Sequence, residues 1–413
     1  MRRWPDPRPF LAVVLINAGD GIANTLVPLY LDTSGFPVDL IGVLVAVAGV
    51  TSLLSRLPSG LAYRRRRARA LMYAAVGLQA ASTALYALPA TPLLFGLVRA
   101  LHGFAVGMAT TVNMALFMDS LAPGGDRHRH LAAYASALSA GYTIGGVGGG
   151  SLGYWLGYGP AFLCAAAFPL LAALCVTAPA RAAATVAPAR PDGPPGATDA
   201  APRLAPARGP GRWGDLRAAL RHPQVATVSV VAFFLGVIHF MGQTFVPLYA
   251  QNVGINLAEI GLLRSTHSLA NTLARPFCGE LTRWLGHQRV FTLGMVLITG
   301  LMMLTPFHAS LLWLMVLFTG IGLGRAGVLV ANTVSMAEIQ EGAVRRGVVV
   351  GLYNAARDLG NVVGPVVGGY IAAAVGLRAF FWVGPPLVLA LYGLLLWLTT
   401  RLPAAVEAKA PTP

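Results

Sequence analysis

Residues 22–42 read IANTLVPLYLDTSGFPVDLIG, and residues 241–261 read MGQTFVPLYAQNVGINLAEIG, with VPLY at Val27–Tyr30 and again at Val246–Tyr249. The two copies lie 219 positions apart, and from residue 27 to residue 64 the shifted chain is identical at 12 of 38 positions without a gap. The same shift carries Arg56 onto Arg275, Gly60 onto Gly279, Arg64 onto Arg283, Gly103 onto Gly322, Asn113 onto Asn332, Tyr134 onto Tyr353 and Gly145 onto Gly364. One half of the chain therefore repeats the other.

Composition says what kind of halves these are. Hydrophobic residues make up 56% of the 413 residues and charged residues 11%, whereas soluble domains carry about a quarter charged residues. Apolar runs of about 20 residues, enough for a helix to cross about 30 Å of hydrocarbon, recur along the whole length. They predict twelve spans, at 10–31, 38–61, 70–90, 92–118, 131–155 and 158–178, then 224–250, 257–281, 290–308, 310–336, 347–374 and 378–400. The expected organisation is an N-terminal six-helix bundle over 1–178, a cytoplasmic linker over 179–223 and a C-terminal six-helix bundle over 224–413. Pro179–Gly211, rich in Ala, Pro, Gly and Arg, reads as flexible; WGDLRAALRHP from Trp213 suits a short helix on the membrane surface. The first run is too long for a signal peptide and no small-residue cleavage site follows it, so it reads as an uncleaved helix. Cys164, Cys175 and Cys278 fall inside apolar runs without metal-ligand spacing and read as buried structural thiols.

Charge placement sets the orientation. Six arginines lie within spans: Arg56, Arg99, Arg264, Arg275, Arg325 and Arg357. Apart from Arg378, the other basic residues fall in the termini, the linker and alternate loops, including Arg64–Arg67, Arg127, Arg129, Arg283, Arg289, Arg345 and Arg346. That is the positive-inside pattern, and it predicts both termini and the linker in the cytoplasm of a bacterial-type inner membrane. Anionic lipid accounts for the net charge of +15 without nucleic acid. The single lysine, Lys409, stands in the C-terminal tail, so there is no phosphate-binding loop of the Walker type and no nucleotide is expected. No cofactor, metal or enzymatic constellation is expected either; His102, His128, His130, His222, His287 and His308 show no catalytic spacing.

Six spans being an even number, both halves begin on the same side, as in the parallel halves of a major facilitator transporter. The chain resembles that family over everything except the linker and tails. Gly60-Leu-Ala-Tyr-Arg64-Arg-Arg-Arg67 resembles its basic turn after the second helix, with Tyr63 where the family has Asp and Thr282 in the second copy. Arg99-Ala-Leu-His-Gly103 in the fourth span is similar to the arginine motif of proton-coupled members. Gly145-Gly-Val-Gly-Gly149-Gly150 resembles the glycine motif of exporters with Gly146 in place of Pro, and Gly364-Pro365-Val-Val-Gly368-Gly369 has its complete form. Close helix packing explains the same glycines without any export role. The resemblance implies an all-α integral membrane protein of twelve helices in two pseudo-symmetric bundles. It also implies a monomeric secondary transporter that exchanges a small-molecule substrate and protons across the lipid bilayer, most simply a proton-coupled exporter.

Ionisable residues in the spans need a reason, because each costs about 2.5–3.5 kcal/mol at the bilayer centre on insertion scales. Asp20 falls near the middle of the first span, and the repeat pairs it with His239, and Asn24 with Gln243. In the resembled fold these four face one another across the substrate path, so Asp20 and His239 are the proton-coupling candidates, with Arg99 as relay or counter-charge; a fixed structural Asp20 is the alternative. Further cavity candidates are Asn113, Asn332, Arg264, His267, Arg325, Asn354, Arg357 and Asp358. Asn354 with Asp358, and Arg357 with Asn361, are four apart and predicted to pair. Because buried arginines outnumber acids, a carrier of an anion, organic acid or sugar phosphate rivals export of lipophilic compounds. Two or more cavity arginines without a carboxylate would favour the anion. A non-transporting receptor or scaffold on the same fold is the third reading. At the cytoplasmic ends, Arg64 or a neighbour with Asp119, and Arg283 with Glu338, are expected to form gate latches that close in the outward-facing state.

Overall fold

The computed structural model describes residues 7–64, 66–88, 91–120, 127–177, 219, 222–339 and 346–400. Among these are twelve long helices: α1 (Arg8–Thr33), α2 (Val38–Ala62), α3 (Ala68–Leu85), α4 (Pro92–Ser120), α5 (Arg127–Leu156), α6 (Tyr158–Thr177), α7 (Pro223–Asn252), α8 (Leu257–Leu285), α9 (His287–Met303), α10 (Leu311–Ala337), α11 (Arg346–Val375) and α12 (Leu377–Thr400). Most of the linker, the surface helix expected from Trp213 and Lys409 lie outside the described residues.

Short, chemically legible stops separate the helices. Gly35 after α1 and its repeat mate Gly254 after α7 take φ of +81° and +89°, a left-handed conformation that any side chain would strain. The chain then re-enters at α8 through a capping box: the Asn256 side chain accepts from the Glu259 amide at 3.0 Å, and Glu259 accepts from the Asn256 amide at 3.1 Å. Each such bond satisfies a backbone group that hydrocarbon could not.

Nine of these helices are long and apolar enough to cross a membrane by themselves. The shortfall falls on α3, α5 and α8. α3 has only 18 residues, α5 is rich in glycine, and α8 carries Arg264, Arg275 and Glu280. In α8, Arg264 and Arg275 are partly buried, whereas Glu280 is exposed and pairs with Arg283.

Within the first half, α1 packs on α5 and α6, α2 on α4, and α3 on α4 and α6; in the second half α7 packs on α11 and α12, and α8 and α9 pack on α10. Across the halves the main contacts are α2 on α11 and α5 on α8. The repeat is visible atom by atom. A methyl group on Gly145 would meet the Ala18 carbonyl oxygen at 2.7 Å, and one on Gly364 the equivalent Val237 oxygen at 2.4 Å. Gly103 meets Ala48 at 2.2 Å and Gly322 meets His267 at 2.6 Å in the same way. Between halves, Gly42 faces the Pro365 oxygen at 2.2 Å and Gly261 the Gly146 oxygen at 2.5 Å. Every one of these pairs obeys the 219-residue shift, so the two halves are related by a pseudo-dyad. The backbone-to-backbone approaches between halves lie at the end away from the chain termini, where Gly150 meets Leu257 and Gly369 meets Val38.

Candidate functional site

Between the halves lies a cavity of about 500 Å³ lined by α1, α2, α4, α5, α7, α8, α10 and α11. Asp20 stands twelve residues into the 26-residue α1, about 18 Å along its axis and near its middle. The residue is 5% exposed. Oδ1 accepts from Asn24 Nδ2 at 2.8 Å and meets His102 Nε2 at 3.1 Å, while Oδ2 accepts from the Tyr142 hydroxyl at 3.0 Å. Four residues after Asp20, Asn24 lies on the same helix face and passes the network onward: Arg99 Nη2 donates to its Oδ1 at 2.9 Å. Arg99 therefore reaches Asp20 through Asn24, in the place of a relay, and the carboxylate's direct contact is with His102. His102 is 1% exposed, with Nδ1 at 3.4 Å from Ser82 Oγ and 3.3 Å from Thr83 Oγ1.

The opposite wall carries different chemistry. His239 and His267 stack with centroids 5.4 Å apart and planes at 20°. Arg264 Nη1 donates to the Gln243 carbonyl at 2.7 Å, and Arg275 Nη2 to Asn271 Oδ1 at 2.9 Å. Among the described residues no carboxylate lies within 4.0 Å of Arg99, Arg264, Arg275 or Arg325, all of which line the cavity. Asp358, the second acid of the cavity, is held across the halves by Arg56 and touched by Arg357 Nε at 3.7 Å. Two acids thus face six arginines, and four arginines keep no acid partner. The repeat preserves the scaffold but not these charges: Arg264, His267 and Arg325 correspond to Val45, Ala48 and Val106.

Several expected cavity residues belong elsewhere. Asn113 Nδ2 donates to Tyr134 Oη at 3.0 Å and to the Pro9 carbonyl at 3.4 Å, and Asn332 Nδ2 donates to the equivalent Val228 carbonyl at 3.1 Å. Both are buried clamps that tie α4 to α1 and α10 to α7, because an amide satisfies a carbonyl at the helix crossing. Asn354 donates to its own helix at Val350 O, 3.0 Å away, and does not reach Asp358, whose oxygens Arg56 and Arg357 already take. The expected gate latches belong to the state in which the ends nearer the termini are closed, whereas here the opposite ends are closed. Asp119 accepts from the Tyr63 hydroxyl at 2.8 Å; Arg283 pairs with Glu280, one helical turn away, at 3.2 Å, and Glu338 meets His287 at 3.5 Å. The Arg283–Glu338 pair is thus not formed in this conformation, since each partner finds a nearer one.

The glycine motifs act as wedges. Gly145 and Gly149 of α5 press on Gly21 and Ile22 of α1, while Gly150 presses on α8. In α11, Gly364 and Gly368 press on Val237 and Phe245 of α7, while Pro365 and Gly369 press on α2.

Sequence reasoning missed His102, Tyr142, Arg56 and Arg275 as site residues. His102 carried a signal, since it lies three residues after Arg99 on the same helix face. Tyr142 carried none: a tyrosine in a helix rich in small residues looks like any packing residue until α5 is placed against α1.

A family model described as Major Facilitator Superfamily matches residues 9–256 and 228–413. The multidrug resistance protein MdtG of Dickeya zeae (strain Ech586) is 30% identical over 159 residues, which is 37% of this chain and 38% of that protein. The riboflavin transporter RibZ of Clostridioides difficile (strain 630) is 27% identical over 143 residues, 34% of this chain and 31% of that one. The chain therefore spans less than half the length of these curated relatives. The crystal structure of a bacterial homolog to the human lysosomal transporter Spinster, in an inward-facing and unoccupied conformation, matches with a TM-score of 0.71 at 16% identity and covers 95% of both chains. That likeness is one of fold.

Proposed function

The chain belongs to the Major Facilitator Superfamily, and from that premise we propose that it is a proton-coupled secondary transporter of a small organic anion, working by alternating access in a bacterial inner membrane with both termini in the cytoplasm. The observation that carries the anion is the set of four cavity arginines without a carboxylate. A buried guanidinium without an acid is costly, and an anionic substrate supplies the missing charge.

Asp20 is the proton site in this reading. As a carboxylate it accepts three hydrogen bonds, on both oxygens. A proton arriving on Oδ1 keeps the contact with His102 only if Nε2 gives up its own hydrogen, so the protonation of Asp20 is tied to the His102 tautomer. Arg264 lines the same cavity as Asp20 and Arg99. Neutralising Asp20 removes the internal anion that competes for Arg264, and substrate binding becomes more favourable. Proton and anion would then travel together.

A second reading is proton-driven efflux of lipophilic or cationic compounds. It is favoured by the name of the MdtG relatives and by the glycine motifs of α5 and α11. A cation would compete with the proton for Asp20, so the two would travel in opposite directions. Flux in proteoliposomes under an imposed pH gradient separates the readings by sign. Anion uptake toward the alkaline side, lost in Asp20→Asn and in His102→Gln, is the expected result. Anion flux that ignores the gradient, or survives Asp20→Asn, refutes the coupling.

A further inference from the structure

The wall of the cavity that faces Asp20 holds a site with its own chemistry. Arg264 spends one N–H on the Gln243 carbonyl, 2.7 Å away, and its remaining donors have no acid partner among the described residues. Arg325 Nε is buried without a partner. The stacked rings of His239 and His267 line the same cavity, with His267 one turn along α8 from Arg264.

His267 decides what kind of ligand fits. It is 3% exposed, and its Nδ1 lies 3.3 Å from the Phe318 carbonyl oxygen. A carbonyl can only accept, so Nδ1 carries the hydrogen and the neutral ring presents a lone pair at Nε2. That Nε2 is buried and has no partner. The cavity therefore offers two guanidinium groups without an acid partner among the described residues and one buried acceptor. An ionised carboxylate meets the donors but has no hydrogen for Nε2. A phosphate monoester meets both: its second ionisation lies near pH 6, so at about pH 6 roughly half of the molecules carry an O–H on one oxygen while the others are anionic.

Resting on the anion reading above, we infer that His267, Arg264, Arg325 and His239 form a binding site for the singly protonated phosphate group of a phosphate monoester. The phosphate O–H donates to His267 Nε2, and its anionic oxygens accept from Arg264 and Arg325. This geometry separates phosphate from sulfate, which has the same shape but no hydrogen near neutral pH and would face the Nε2 lone pair with another lone pair.

The test uses the full chain in nanodiscs of neutral phosphatidylcholine at pH 6, with no gradient, titrated calorimetrically with inorganic phosphate and with sulfate. Saturable phosphate binding is expected, with sulfate weaker by about tenfold or more, the equivalent of about 1.4 kcal/mol. Arg264→Gln and Arg325→Gln should each weaken phosphate about tenfold, while Arg325→Lys, which keeps the charge, loses less. His267→Phe keeps the ring stack but removes the lone pair, so the gap between phosphate and sulfate should close. Displacement of bound phosphate by glycerol phosphate, or by phosphatidic acid in the disc, supports the site and names a soluble or a lipid source. Equal binding of sulfate and phosphate, no saturable phosphate binding, or a phosphate affinity untouched by the arginine variants overturns the inference. Proton-driven flux is a separate readout. Phosphate binding without it rejects the coupled mechanism and keeps this site, and the reverse result rejects the site alone.

Discussion

Gly42 of α2 tests whether the small residues set the conformation. A methyl group there would stand 2.2 Å from the Pro365 carbonyl oxygen of α11, whereas real methyl carbons keep at least 3.0 Å. In Gly42→Ala the two helices must part by about 0.8 Å, and the obstacle is backbone, which cannot rotate away. Overpacking of this kind costs about 1–3 kcal/mol. The whole cost falls on the state in which the ends away from the termini are closed, because α2 and α11 belong to different halves and a rocking motion separates them. A bias of about 1–3 kcal/mol between two states shifts their ratio about 5–150-fold. The assay is electron–electron distance spectroscopy with labels at Thr33→Cys and Asn252→Cys, repeat-related exposed positions at that end of α1 and α7, after replacement of the three native cysteines. Gly42→Ala should add or enlarge a longer-distance population, and so should Gly261→Ala, which meets the Gly146 oxygen at 2.5 Å. Gly60→Ala, with nothing within 4 Å, should leave the distribution as it was. Distributions for Gly42→Ala and Gly60→Ala that superpose on the unmutated chain would refute the reasoning.

Other outcomes follow from the same contacts. Asn113→Ala and Asn332→Ala should each destabilise the fold by about 1–3 kcal/mol through an unpaired buried carbonyl, measured by thermal unfolding in detergent, with phosphate affinity unchanged. Asp358→Asn leaves Arg56 and Arg357 without their acid and should slow transport more than the double variant Arg56→Gln with Asp358→Asn. A double-mutant cycle on transport rates should give a coupling of about 0.5–3 kcal/mol. Tyr142→Phe removes one of the three bonds to Asp20 and should move the pH midpoint of proton-driven flux while flux under saturating anion persists; an unmoved midpoint would separate Tyr142 from the proton step.

Much of the architecture was legible before any coordinate. Twelve apolar runs, an offset of 219 residues and glycines four apart in the fifth and eleventh helices determine the helices, their pairing and the places where backbones touch. They do so because hydrocarbon leaves a spanning backbone only one economical form, and because close approach needs a small side chain. The depth of Asp20 follows from counting residues along a helix.

What the tertiary structure decided is which side chains meet. Sequence reasoning left Arg99 as either relay or counter-charge to Asp20; the helix crossing puts His102 on Oδ1 and sends Arg99 to Asn24. It also placed Asn113 and Asn332 in the cavity, where matching helix crossings instead turn each amide toward a neighbouring backbone carbonyl. The balance of arginines over acids was readable in the sequence. That four of them lack an acid partner was not, because pairing depends on distances of a few ångströms between helices hundreds of residues apart. Local pattern fixes what a segment is, through periodicity and hydropathy; contact between segments is fixed by how their surfaces interlock, which no single segment contains.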